Sequence, residues 1–118
     1  MSAPSAPAVA DTFPSLLLKH ASERPDAPAL REKYLGIWQT WSWAETAAEV
    51  RSMASGLAAL GFKRGDNLAI IGDNRPRLYM AFAAAQSLGG VAVPMYQDAV
   101  AVEMMHVLDD ADIRFAIV

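Results

Sequence analysis

Residues 61–96 read GFKRGDNLAIIGDNRPRLYMAFAAAQSLGGVAVPMY, and the parsing of this stretch decides the fold. Gly61 is a helix-ending glycine, followed by a basic turn through Lys63, Arg64, Gly65 and Asp66. The apolar run Leu68–Ile71 comes next, and then the polar turn Gly72-Asp73-Asn74-Arg75-Pro76. Leu78–Leu88 is alanine-rich with helical spacing, Gly89-Gly90 stops it, and Val91–Met95 is a second short apolar run. Short apolar runs flanking one helix describe parallel strands buried on both faces. The crossover between them is expected to be right-handed.

Working outward toward the N-terminus, Ser42-Trp43-Ala44-Glu45 has the spacing of a capping box. The helix it opens is predicted to run to Leu60, with Ala47, Val50, Ala54, Leu57 and Ala58 buried and Gly61 ending it. For the helix inside the central unit, Asn74 or Asp73 is the expected cap and Pro76 suits its first turn. Leu78, Ala81, Phe82, Ala85 and Leu88 form its apolar stripe, so Ile70 and Phe82 are expected in the core. Upstream, Ala29–Tyr34 and Ile37–Trp41 read as a loose hairpin joined at Gly36. A further helix starts at the cap Thr12, carries Phe13, Leu16, Leu17 and His20 on one face, and ends near Arg24-Pro25. Residues 1–11, rich in Ala, Ser and Pro, read as a disordered tail.

Toward the C-terminus, Val100–Leu108 has helical spacing, with Val100, Met104, Val107, Leu108 and Ala111 on one stripe. The last run, Ile113–Val118, has strand character. Asn67–Ile71, Val91–Met95 and Arg114–Val118 are thus expected as adjacent parallel strands. An uncovered third strand makes the expected fold the N-terminal part of a larger α/β domain, over residues 12–118. Parallel strands alternate with helices in it, preceded by a helix and a small hairpin.

Composition narrows the function classes. The 118 residues are 53% hydrophobic with a net charge of −3. No basic stripe points to nucleic acid and no polybasic run points to anionic lipid. Without cysteine there are neither disulfides nor thiolate metal sites, which fits a reducing compartment. The apolar tract Met80–Met95 is interrupted by Gln86, Ser87, the glycine pair and Pro94, and reads as core, not as a membrane span.

Chemistry-bearing residues are few. Trp38, Trp41 and Trp43 suggest either a stacking platform or aromatic cover for the hairpin and the next helix; no cations are interleaved with them in sequence. His20 sits on an apolar stripe without a sequence partner and reads as a packing residue. Asp109, Asp110 and Asp112 lack the spacing and closing glutamate of a calcium loop. Open α/β sheets bind ligands beyond the carboxyl ends of their strands, so the two strand-to-helix turns are the candidate sites. The turn at Gly72 has neither dinucleotide nor P-loop glycine spacing. The turn Tyr96-Gln97-Asp98 offers stacking and hydrogen bonds, or else only starts the next helix with Asp98 near its cap. Asn74, Tyr96 and Gln97 are the candidate pocket-wall residues, with no catalytic, cofactor or metal position assigned.

Several ordered blocks carry a resemblance. Trp41–Glu45, Ala54–Gly61, Lys63–Ile71, Asp73–Pro76 and Ala84–Tyr96 resemble the opening of the adenylate-forming (AMP-binding) enzymes. Tyr34–Trp41, and Tyr96–Val100 followed by Glu103, look most like the long-chain fatty acyl-CoA ligase branch. The resemblance spans Thr12–Val118. It implies a cytoplasmic ligase, at most peripheral to a membrane, that activates a carboxylate with ATP and Mg²⁺ and passes the acyl group to CoA. It also implies that the phosphate-binding loop, the acidic ribose-binding motif and the catalytic lysine lie in the remainder of a parent chain, since none occurs here. The fragment alone is therefore expected to be inactive and to bind none of these cofactors, with self-association through the uncovered strand. The alternative is a stand-alone, non-catalytic α/β binding or interaction module.

Overall fold

The computed structural model describes residues 12–118, so the expected tail at 1–11 lies outside the described residues. Helix α1 (Phe13–Glu23) is followed by strands β1 (Pro28–Tyr34) and β2 (Ile37–Ser42) and helix α2 (Trp43–Ala59). Then come β3 (Asn67–Ile71), α3 (Pro76–Ser87), β4 (Val91–Met95), α4 (Ala101–Asp110) and β5 (Phe115–Ile117).

Local chemistry sets most of these boundaries. The Thr12 side chain accepts from the Ser15 amide at 3.2 Å and starts α1. At α2, the Glu45 amide donates to Ser42 Oγ at 3.0 Å and the Ser42 amide donates to the Glu45 carboxylate at 3.1 Å. That reciprocal pair is the expected capping box. Its other end closes just as specifically: the Phe62 amide donates to the Leu57 carbonyl and the Gly61 amide to the Ala58 carbonyl, both at 3.0 Å. Gly61 has φ +97°, which a residue with Cβ resists. This Schellman turn carries its usual apolar contact, because Phe62 and Leu57 lie in the same buried cluster.

The cap expected at α3 is absent. Arg75, not Asn74 or Asp73, is the N-cap of α3, and no side chain caps it. The residue before a proline is held in the extended region, so Pro76 at the first helical position fixes the boundary by itself. Similarly, Val100 precedes α4 without a side-chain cap, and Asp98 lies outside the helix start.

The strands make two sheets. β1 and β2 pair antiparallel, and β4-β3-β5 form a parallel sheet with β3 in the centre. Leu68 aligns with Ala92 and Phe115, and Ile70 with Pro94 and Ile117. Central placement explains why Leu68, Ala69 and Ile70 are all buried, whichever face each side chain takes. Because β4 and β5 lie on opposite sides of β3, right-handed crossovers put α3 and α4 on opposite faces. Leu68 and Ile70 indeed cluster with Val50 and Leu57 of α2, Phe62, and Met80, Ala81, Ala84 and Ala85 of α3.

The buried arc of α3 is turned by about a quarter of the helix circumference from the expected stripe. Met80 and Ala84 are fully buried, whereas Leu78, Phe82 and Leu88 are half-buried. The helix packs against β3 and β4 on one side and against α1 and α2 on another. Two-sided packing widens and shifts the arc, and the alanines allow the close approach. The same rule corrects α2, where Ala58 is exposed and Thr46 is buried. By contrast α4 has no buried residue, and Val100 is exposed despite its place on the predicted stripe. The radius of gyration is 16.4 Å, above the ~13 Å of a compact chain of about this length. One face of the sheet is built up while the other is thinly covered.

Candidate functional site

The carboxyl ends of β3 and β4 open into adjacent turns, and a cleft of about 530 Å³ lies between them. Ile70, Leu78, Pro94 and Met95 form its apolar floor, and Gly72, Asp73, Asn74, Tyr96, Gln97 and Asp98 form its rim. All three residues singled out from sequence, Asn74, Tyr96 and Gln97, are therefore brought to one cleft. Parallel pairing with Ile71 opposite Met95 ends both strands at the same level. That register, which follows from the two apolar runs, puts the two turns side by side.

The turns are tied together. The Gln97 side-chain amide donates to the Asp73 carboxylate, and the Tyr79 hydroxyl donates to the Asn74 carbonyl oxygen. Tyr96 is 84% exposed and stands free at the rim, available for stacking. Asp73 and Tyr79, which fix two of the three candidates, were not singled out from sequence. Tyr79 does carry a signal, since it is an aromatic with a polar tip off the predicted apolar stripe. Nothing local marks the contact from Asp73 to Gln97, which depends on strand pairing.

The nearby cations are already engaged. Arg75 Nε donates to Glu32 Oε2 at 3.1 Å, and its guanidinium lies 5.3 Å from the Tyr34 ring centroid. That hydrogen bond, reinforced by the Glu32 charge, raises the Arg75 guanidinium above its already high range. Arg77 sits 3.5 Å from Glu49 and 5.7 Å from the Trp41 ring. Both arginines pair with acids on the hairpin and α2 and line the adjoining cleft beyond β3 and β5, leaving Asp73 and Asp98 as the charges on this rim. A triphosphate needs cations and a cradle of amides, and this cleft presents neither. Its residues do not fit ATP·Mg²⁺ phosphates, and no reaction step is assigned to them.

The remaining sequence candidates serve packing. His20 lies 4.6 Å from Trp43, ring to ring, joining α1 to the start of α2. Trp41 packs against the main core, and Trp38 alone of the three tryptophans stays largely exposed.

Comparison with known proteins places this geometry. A protein of Mycobacterium tuberculosis described as uncharacterized is 38% identical over 93 residues, 79% of this chain and 52% of its own length. The long-chain-fatty-acid–CoA ligase FadD15 of Mycobacterium bovis is 28% identical over 102 residues, 86% of this chain and 17% of the ligase. The inhibitor-bound N-terminal domain of FACL13 from M. tuberculosis superposes with a TM-score of 0.80 at 27% identity. The match covers 87% of this chain and 25% of that one. The chain thus spans about half of one relative and a quarter or less of the other two. The family model described as AMP-binding enzyme matches residues 17–118, and the chain belongs to that family.

Proposed function

We propose that this chain is the N-terminal portion of an ATP-dependent acyl-CoA ligase of the fatty-acid class. It contributes scaffold and pocket wall, while catalytic groups come from the rest of a parent chain. The observation that carries the reading is the cleft beyond β3 and β4: it has an apolar floor, neutral hydrogen-bonding groups at Asn74 and Gln97, and its neighbouring arginines committed elsewhere. Such a wall suits an uncharged or apolar part of a substrate better than phosphates. Similarity to a ligase named for long-chain fatty acids supports the substrate class. The parent enzyme would form an acyl-adenylate from a carboxylic acid and ATP, then pass the acyl group to CoA; ATP, Mg²⁺ and CoA belong to that whole enzyme. A cytoplasmic location is part of the same proposal, and no described helix is long and apolar enough to cross a membrane.

ATP–pyrophosphate exchange tests this reading. Residues 1–118 with Mg²⁺ and a panel of fatty acids should give no carboxylate-dependent exchange, and a longer parent chain should give it. Exchange by the short chain, once contaminating ligases are removed, would place catalytic groups within it. One observation favours a second reading, a non-catalytic binding or interaction module. The uncharacterized M. tuberculosis relative has 52% of its length covered by 93 residues, so it is far shorter than the ligase. A parent chain silent with every acid would favour that module.

A further inference from the structure

The pairing of β1 with β2 gives the hairpin two unlike faces. Leu30 lies opposite Trp41, Glu32 opposite Gln39 and Tyr34 opposite Ile37, all on one face. Arg31 and Lys33, opposite Thr40 and Trp38, occupy the other. The first face turns toward the rest of the chain. At its base, Leu30 and Trp41 pack against the main core. In the middle, Glu32 holds Arg75 at 3.1 Å. At the tip, however, Tyr34 and Ile37 are 50% and 65% exposed. The face is patterned for burial at both ends, and the described residues cover only its base.

The turn sharpens the contrast. Leu35 has φ +50° and Gly36 φ +79°, so both central residues are left-handed, a setting normally filled by Asn-Gly or Asp-Gly. Leu35 is also 83% exposed. Strain and exposure both count against leucine here, and no packing among the described residues offsets them.

The position of the tip points to what covers it. Tyr34 meets the Arg75 guanidinium at the start of α3. With Lys33 it lines a cleft of about 610 Å³ whose opposite wall includes Asp73, Asn74 and Tyr79. The tip therefore stands at the carboxyl end of β3, beside the candidate site, which shares Asp73 and Asn74 with this cleft. The candidate site lacks phosphate-binding groups. Under the ligase reading these come from the rest of a parent chain, which has to approach the same end of the sheet. It is also long enough to do so, because this chain spans a quarter or less of FadD15 and of the FACL13 domain. A second copy fits less well, since pairing two tips would bring together two sets of Arg31 and Lys33.

We propose that the tip of the β1–β2 hairpin is a docking surface for the remainder of the parent chain. An apolar patch of that remainder packs on Tyr34, Leu35 and Ile37 and closes the cleft against Asn74 and Tyr79. Arg31 and Lys33 flank the contact and select acids on the approaching surface. This surface presupposes the ligase reading above, which supplies the remainder.

Labelling of a single thiol tests the proposal, since residues 1–118 contain no cysteine. Leu35→Cys is made in the 118-residue chain and in the longer parent chain, and its reaction with a maleimide is followed by peptide mass. The thiol should react freely in the short chain and at least about tenfold more slowly in the parent, with full reactivity restored in urea. Ile37→Thr, which keeps the β-branch, gives a second measurement. It should lower the folded-to-unfolded ratio of the parent about tenfold or more and leave the urea midpoint of the short chain unchanged. Equal labelling of the two folded chains, or an equal effect of Ile37→Thr in both, would overturn the proposal. So would protection in the short chain that grows with its concentration, which would assign the tip to a second copy. Pyrophosphate exchange separates the two readings. A parent active in exchange whose tip labels freely refutes the docking and leaves the ligase reading intact; a silent parent whose tip is protected does the reverse.

Discussion

The β3–α3–β4 unit and the β1–β2 hairpin are both made of short strands, and both contain large apolar side chains. In the first, Leu68, Ala69 and Ile70 are excluded from water; in the second, Ile37 and Trp38 are mostly exposed. Propensity does not separate them, since Ile and Trp favour strands at least as strongly as Leu and Ala. Neighbours do. β3 has a strand on each side and α2 and α3 above it, whereas Tyr34, Ile37 and Trp38 in the far half of the hairpin lie outside the buried cluster. Burial, and with it stability, belongs to the position in the sheet and not to the strand.

That contrast breaks most visibly at Phe62. Its ring is buried and meets Phe115 edge to face at 5.3 Å. Phe62→Ala should lower unfolding free energy by about 3–5 kcal/mol in urea denaturation; a change below about 1 kcal/mol would dissolve the distinction between the two regions. From the other side, a Cβ on Gly90 would stand 2.4 Å from the Phe62 ring. Gly90→Ala should therefore cost about 1–3 kcal/mol through overpacking, even though alanine is a mild substitution elsewhere.

Within α3 the comparison becomes finer. Met80→Ala should cost about 2–5 kcal/mol, since its side chain is fully buried. Phe82 looked from its spacing like a fully buried residue, worth about 3–5 kcal/mol on truncation. It is only half-buried, so Phe82→Ala should cost less than Met80→Ala. Denaturation midpoints with matching slopes measure the order, and the reverse order would restore the stripe expected from periodicity. Ser42→Ala removes one half of the capping box and should cost about 1 kcal/mol. At the exposed end of the scale, Met105→Ala on α4 should change stability by less than about 0.5 kcal/mol. A larger loss would mean that α4 is packed more firmly than its exposure indicates.

Much of this was legible from residues alone, for reasons that are local. Gly61 and the Ser42–Glu45 box act within a few bonds of themselves, so the ends of α2 could be read directly. The central unit could be read too, because buried parallel strands must be short and apolar. Asn74, Tyr96 and Gln97 were found together because both turns follow strands in one parallel register. Ala58, Val100 and Phe82 were misplaced since a stripe records which side is apolar, not how many neighbours arrive. Asn74 and Asp73 were misread as candidate caps because Pro76 defines the start of α3 without side-chain help.

By itself, then, the sequence determined the elements, their order, the α/β class and the family resemblance, all of which rest on spacing along the chain. Tertiary structure alone decided that Arg75 and Arg77 pair with Glu32 and Glu49 and do not line the cleft between β3 and β4. It alone gathered Arg31, Lys33 and Trp38 on one face of the hairpin, where the linear sequence shows no basic cluster. The physical reason is the same in both cases. Charge and contact act through space over a few ångströms, and residues 43 positions apart, such as Glu32 and Arg75, share that space only after the chain has folded.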